Sequence, residues 1–160
     1  MIHLYHGSNV SIDVPDLAHS KPFKDFGSGF YLSAGDKQAW DMAFQKVNQT
    51  QTGKATVSEF LFDDSVMLTD ELKVLVFDDY SEDWARFVLT NRSRKTQQPV
   101  HDYDIVYGPI ADDGVTYQLR RYEGGVISLS RLVEELKYAQ GITFQYFFGT
   151  ERALKQLKRL

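Results

Sequence analysis

The chain has 160 residues, no cysteine, and a formal net charge of −4 from 18 basic and 22 acidic side chains. That length suits a single domain over 1–160, long enough to bury roughly 70% of its unfolded surface. A hydrophobic fraction of 42% with 14% aromatics excludes disorder. The missing cysteines exclude disulfides, thiol nucleophiles and thiolate zinc sites, and the acidic balance disfavours general phosphate-backbone binding. No run nears the roughly 18 apolar residues of a membrane span. Met1-Ile2-His3-Leu4-Tyr5-His6 also lacks the basic-then-apolar order of a secretory signal, so a cytoplasmic protein is expected.

In chain order, residues 2–5 read as a short apolar strand entering a turn at His6-Gly7-Ser8-Asn9. Residues 10–29 carry Pro15, Pro22, Gly27 and Gly29 and no regular pattern, as a loop that covers a cleft would. Phe30-Tyr31-Leu32 is a brief strand. A helix follows from about Asp36, its inner face drawn by Trp40, Ala43, Phe44 and Val47. Strands are predicted over 55–62, 73–77, 103–110 and 142–148. Ser81 can cap a helix carrying Glu82 and Asp83 in its first turn and Trp84, Phe87 and Val88 on its inner face. Asp112 and Asp113 beside Gly114 read as a turn. Another helix starts near Ser128 with Leu129, Leu132, Val133 and Leu136 on one side, and Gly141 is its stop. A short basic helix from Thr150 ends the chain, with Arg152, Lys155, Lys158 and Arg159 on a solvated face. Strands and helices mix without regular βαβ alternation, so the expected class is α+β.

Common chemical motifs are missing. His3, His6, His19 and His101 do not pair at metal-ligand spacing, Gly27-Ser28-Gly29 lacks the rest of a dinucleotide fingerprint, and there is neither a P-loop lysine nor a serine nucleophile elbow. No metal is expected.

Two strings are more specific. One is Leu4-Tyr5-His6-Gly7-Ser8; the other is Asp25-Phe26-Gly27-Ser28-Gly29-Phe30-Tyr31-Leu32-Ser33, followed by the helix with Trp40. Their order and spacing resemble the histidine–tyrosine branch of the ADP-ribosyltransferase fold, which includes the poly(ADP-ribose) polymerase catalytic domain. Asp104-Ile105-Val106-Tyr107-Gly108-Pro109-Ile110-Ala111-Asp112-Asp113 and the stretch from Gln145 to Thr150 resemble strings of a small bacterial family of that fold. The resemblance implies a split sheet of mostly antiparallel strands with flanking helices. It also implies a transferase of the glycosyltransferase class that uses NAD as substrate.

In that chemistry NAD is held folded while positive charge develops on the ribose. The resemblance implies catalytic roles for His6, Tyr31 and Gln145, and an NAD-holding set of His6, Gly7, Ser8, Gly29, Phe30, Tyr31 and Trp40. A strand-end histidine can hydrogen-bond a ribose hydroxyl. A glycine lets the backbone approach the nicotinamide carboxamide. Tyr31 and Trp40 would flank the nicotinamide ring, stacking of this kind being worth roughly 1 kcal/mol. Each of these aromatics also fits a core position.

The family's active members place a glutamate where Gln145 stands. Glutamine keeps the hydrogen-bonding shape without the charge, so single transfer or NAD hydrolysis is expected rather than chain elongation. Asp104 is the rival carboxylate, with a strand-initiating aspartate as its plainer reading. Lys37 falls near the position where some relatives carry a carboxamide-binding serine. Arg92 is a candidate for meeting a phosphate or an acidic partner. The expected activity is mono-ADP-ribosyl transfer to a macromolecular acceptor, protein or nucleic acid. Small bacterial enzymes of this kind also suggest a toxin–antitoxin setting with a cognate antitoxin. The alternative class is an NAD-binding or interaction module without turnover.

Overall fold

β1 (Ile2–Ser8) alternates its side chains, burying Leu4 and Ser8. It pairs antiparallel with β3 (Thr56–Phe62), Leu4 opposite Phe60, and β3 pairs antiparallel with β7 (Leu157–Arg159). Together they form a sheet ordered β1-β3-β7. The second sheet is ordered β2-β6-β5-β4, from β2 (Phe30–Leu32), β6 (Phe144–Phe148), β5 (Ile105–Pro109) and β4 (Val74–Val76). Among the described residues only β4 and β5 pair parallel. An isolated bridge between Tyr5 and Ser33 joins the two sheets. The fold is therefore α+β with mostly antiparallel strands, as the sequence led us to expect. The structure, a computed structural model, describes residues 1–138 and 141–160.

Alternation along β5 and β6 builds two cores. Val106 and Phe147 face one way, into a cluster with Phe26, Trp84, Val88, Leu119 and Leu132 beneath the helices. Ile105 and Phe148 face the other way, joining Leu4, Phe30, Phe60 and Phe62 from the other strands.

Side-chain caps set the helix starts. Ser81 accepts from the Trp84 N–H at α2 (Glu82–Arg92), and Ser128 from the Arg131 N–H at α4 (Leu129–Lys137). The turn expected at Asp112-Asp113-Gly114 is instead a helix start: Asp112 accepts from the Val115 N–H and α3 runs Asp113–Glu123, burying Val115 and Leu119. α4 ends at Lys137, and Gly141, its expected stop, follows residues 139–140, which lie outside the described residues.

α1 (Asp36–Thr50) lies on β1 through Ala39 and Ala43, while Trp40 and Phe44 point outward at 40% and 58% exposure. The inner face is shifted from the expected one because a strand glycine admits only small helix residues. A Cβ at Gly7 would run into the Ala39 carbonyl. The terminal basic helix is also corrected. α5 is the single turn Glu151–Leu154, and the chain then pairs as β7, where Arg159 donates to the carbonyls of Ile12 and Glu59.

Candidate functional site

β1 and β2 part at His6. Tyr5 and Ser33 exchange both backbone hydrogen bonds, at 2.8 and 2.9 Å. Antiparallel alternation directs the N–H and C=O of Gly7 toward the same neighbour. Yet among the described residues β1 and β2 share the isolated Tyr5–Ser33 bridge, and no ladder continues from it to Gly7 and Tyr31. The Tyr31 carbonyl instead accepts from the His6 imidazole, with Nδ1 at 2.7 Å. A carbonyl only accepts, so Nδ1 carries the proton and the neutral ring leaves Nε2 as an acceptor. Burial, together with the Lys46 charge, lowers the His6 pKa from its ordinary value of 6.5, against the opposing pull of the Tyr31 carbonyl. The ring lies on Phe30 with centroids 4.2 Å apart.

The register sorts the other residues of the expected site. Tyr31 pairs with Phe147 and Leu32 with Tyr146, while Gln145 pairs on its other side with Gly108. Side chains alternate, so Tyr31 and Gln145 share one sheet face, with Phe147 opposite Tyr31 and next to Gln145 along β6. The His6 ring is on the opposite face with Phe30. His6 thus reaches Tyr31 through the backbone at the seam and does not meet Gln145 side chain to side chain. Gln145 is half-buried, and its Nε2 is buried with no hydrogen-bond partner in the chain. Gln38 on α1 reaches the adjoining Phe144 carbonyl at 3.5 Å.

Tyr31 is held firmly. Its hydroxyl donates to the Gly27 carbonyl at 2.6 Å and accepts from the Phe26 N–H at 3.0 Å. Its ring meets Phe147 edge-on at 5.3 Å. Burial raises its pKa well above the usual phenol value. Phe30 is a core residue that supports His6, at 7% exposure. Gly29 is required by packing, since a Cβ there would enter the Phe147 ring. Ser8 is buried and donates to Asn9 Oδ1. Trp40 lies on α1 with its ring 6.0 Å from Phe44.

Asp104 is no rival catalyst. Fully buried, it accepts from Arg152 Nε at 2.7 Å, Thr150 Oγ1 at 2.5 Å and the Lys73 N–H at 2.7 Å. Burial works against its charge, but these donors prevail and hold its carboxyl below the usual range. It clamps the start of β5 to the end of β6.

Arg92 finds its acidic partner inside the chain. Its Nε donates to Asp25 Oδ1 at 2.6 Å, while Asp25 Oδ2 accepts from the Ala111 N–H. The loop before β2 is therefore anchored at both ends. Ile12 bonds to Ser58 and Arg159, and Phe26 bonds to Tyr31 and His101. Between these anchors runs the stretch 13–24, within which Leu17 packs on the second core and Phe23 lies under Arg94.

Among the described residues no group of three or more histidine or acidic side chains could hold a metal ion, and no helix is long and apolar enough to cross a membrane. The unassigned members of this region are His101 and Asn91. Their sequence signal was faint: a lone histidine after a proline, and an asparagine at the end of an apolar helix face.

The seam offers a neutral imidazole acceptor at His6 beside a strand edge whose ladder stops before Gly7, while the neutral amide of Gln145 lies on the opposite sheet face. Such a set can bind hydroxyl and carboxamide groups through hydrogen bonds and supplies no negative charge of its own. No curated protein and no solved structure matches the chain. A family model described as "Protein of unknown function (DUF3990)" matches residues 2–159, and the chain belongs to that family.

Proposed function

We propose that this protein cleaves NAD at the nicotinamide–ribose bond and passes one ADP-ribose to a macromolecular acceptor or to water. The observation that carries the reading is the parting of β1 from β2 at His6-Gly7. There the imidazole takes the Tyr31 carbonyl, and the strand ladder does not continue through Gly7. An opened strand edge of this kind suits a carboxamide, which has one donor and one acceptor side. The acceptor nitrogen Nε2 of His6 suits a ribose hydroxyl. The carbon–nitrogen bond breaks with its electron pair leaving on nicotinamide, and the acceptor's nucleophile closes on the ribose cation and releases its proton. In this reading the fold is ADP-ribosyltransferase-like, and the toxin–antitoxin setting and cytoplasmic site belong to the same proposal.

The second reading is an NAD-binding module without turnover, and Gln145 favours it. An uncharged amide stabilises a ribose cation less than a carboxylate does, by a few kcal/mol in a preorganised site. Incubating the protein with NAD and following free nicotinamide by mass separates the two. Protein-dependent release that His6→Ala abolishes supports the enzyme. Saturable NAD binding without nicotinamide supports the module, and neither binding nor release removes both.

A further inference from the structure

A cavity of about 220 Å³ opens between the loop before β2, the end of α2 and the segment leading into β5. His6, Tyr31 and Gln145 are not among its lining residues. Its floor is Asn91, whose side chain is fully buried. Asn91 Nδ2 donates to the Phe87 carbonyl at 2.8 Å, which fixes the amide's orientation, and Oδ1 has no hydrogen-bond partner in the chain. A buried acceptor left unpaired is destabilising, so it marks a place for an outside donor.

Other polar groups of the cavity have partners: Ser28 Oγ bonds to Ser20 Oγ, and Gln98 Nε2 donates to the Asn91 main-chain carbonyl at 3.4 Å. The Tyr103 N–H donates to His101 Nδ1, so the proton is on Nε2, which donates to the Phe26 carbonyl at 2.6 Å. Thr150 is spent on Asp104. Asp102 adds a carboxylate at the rim, 79% exposed and paired with Lys73 Nζ at 2.5 Å, an ammonium that also lies 5.7 Å from the Tyr103 ring centroid and that the incoming cation displaces. Tyr103, Phe147 and Pro99 supply flat apolar walls. Gly27 keeps the floor open, because a Cβ on it would stand 3.1 Å from Asn91 Oδ1.

We infer that this cavity binds a planar nitrogen cation, a guanidinium or amidinium group, with one N–H on Asn91 Oδ1, its plane against the aromatic wall and its charge toward Asp102. A free acceptor at the floor, a carboxylate at the rim and rings between them match such a cation's donors, charge and flat faces. The group comes either from a small guanidino compound or from an arginine side chain of a partner. The inference is independent of NAD chemistry.

Amide NMR of the whole chain, titrated with methylguanidine, tests it. Saturable millimolar shifts should cluster at the Asn91 side chain and the amides of Gly27, Asp102 and Gly149. Methylammonium and urea, which lack respectively the planar donors and the charge, should bind at least about tenfold more weakly. Asn91→Leu should weaken methylguanidine about tenfold or more, and Asp102→Asn, on an exposed rim, about threefold. If Asn91→Leu fails to fold, the Asp102→Asn comparison against urea decides alone. Tighter binding of a Gly-Arg-Gly peptide than of methylguanidine identifies a protein source, and the reverse identifies a small ligand. Dispersed shifts, shifts unchanged in the foldable variants, equal response to urea, or a bound water that methylguanidine does not displace would each overturn the inference.

Discussion

His6 and Tyr31 meet through a side chain and a main chain: the imidazole Nδ1–H donates to the Tyr31 carbonyl at 2.7 Å where a strand ladder would have placed the Gly7 amide. One bond thus does two things. It caps a carbonyl at the point where two sheets separate, and it selects the tautomer that turns Nε2 outward as an acceptor.

That arrangement has a pH signature. Burial lowers the pKa of both His6 and His101 from 6.5, so below that value the unfolded chain binds protons that the folded chain refuses. Stability therefore falls as pH drops from about 7 toward about 5. Urea midpoints should decline over this window, and His101→Gln should flatten the decline. An unchanged slope in that variant would exclude His101 as a contributor.

Gly7 answers to packing as well as to any ligand. Its hydrogen faces the α1 backbone at Ala39 and Ala43, and a methyl group there has nowhere to go. Gly7→Ala should lower stability by about 3 kcal/mol in denaturant unfolding. A loss below about 0.5 kcal/mol would mean that α1 moves off β1 easily.

The Asp104 clamp predicts an order of effects. Asp104→Ala strands Thr150 and the Lys73 N–H together, and should destabilise by about 3 kcal/mol. Arg152→Ala should cost about 1 kcal/mol, because its guanidinium is 61% exposed and water replaces much of the pair. The Asp104 carboxyl is held below its usual 3.8, so its contribution is complete above that pH and fades as pH falls through the lower folded value. The gap between wild type and Asp104→Ala should close only in that acid range. A larger loss from Arg152→Ala would reverse this account.

Gln145 is the position at which chemistry and binding diverge. Gln145→Glu restores a negative charge at nearly constant volume, and should raise nicotinamide release by up to about 10²-fold if transition-state charge is limiting. Gln145→Ala should weaken NAD binding by about 1–3 kcal/mol. Equal turnover and equal affinity in both variants would remove Gln145 from the site.

Local signals in the sequence settled a good deal. Helix starts at Ser81, Ser128 and Thr150 were legible because a cap acts within three residues, and each accepts the expected N–H. The mixed class was legible because alternation and helical periodicity are short-range patterns. α3 was readable in principle from Val115, Leu119 and Tyr122, but the acidic pair beside Gly114 looked like a turn, and an aspartate cap is built from the same residues.

Tertiary structure decided the rest, because those choices depend on partners far apart in the chain. Which face of α1 turns inward was settled by Gly7 on a different element, not by the helix's own hydrophobic order. Asp25 and Arg92, 67 residues apart, became partners only when the loop folded over α2. The composition of the chain contains His6, Tyr31 and Gln145 in the expected order, but strand register alone put Tyr31 and Gln145 on one face and His6 on the other. Side-chain alternation is a property of each strand, whereas the relation between two strands is set by the pairing that the whole core permits.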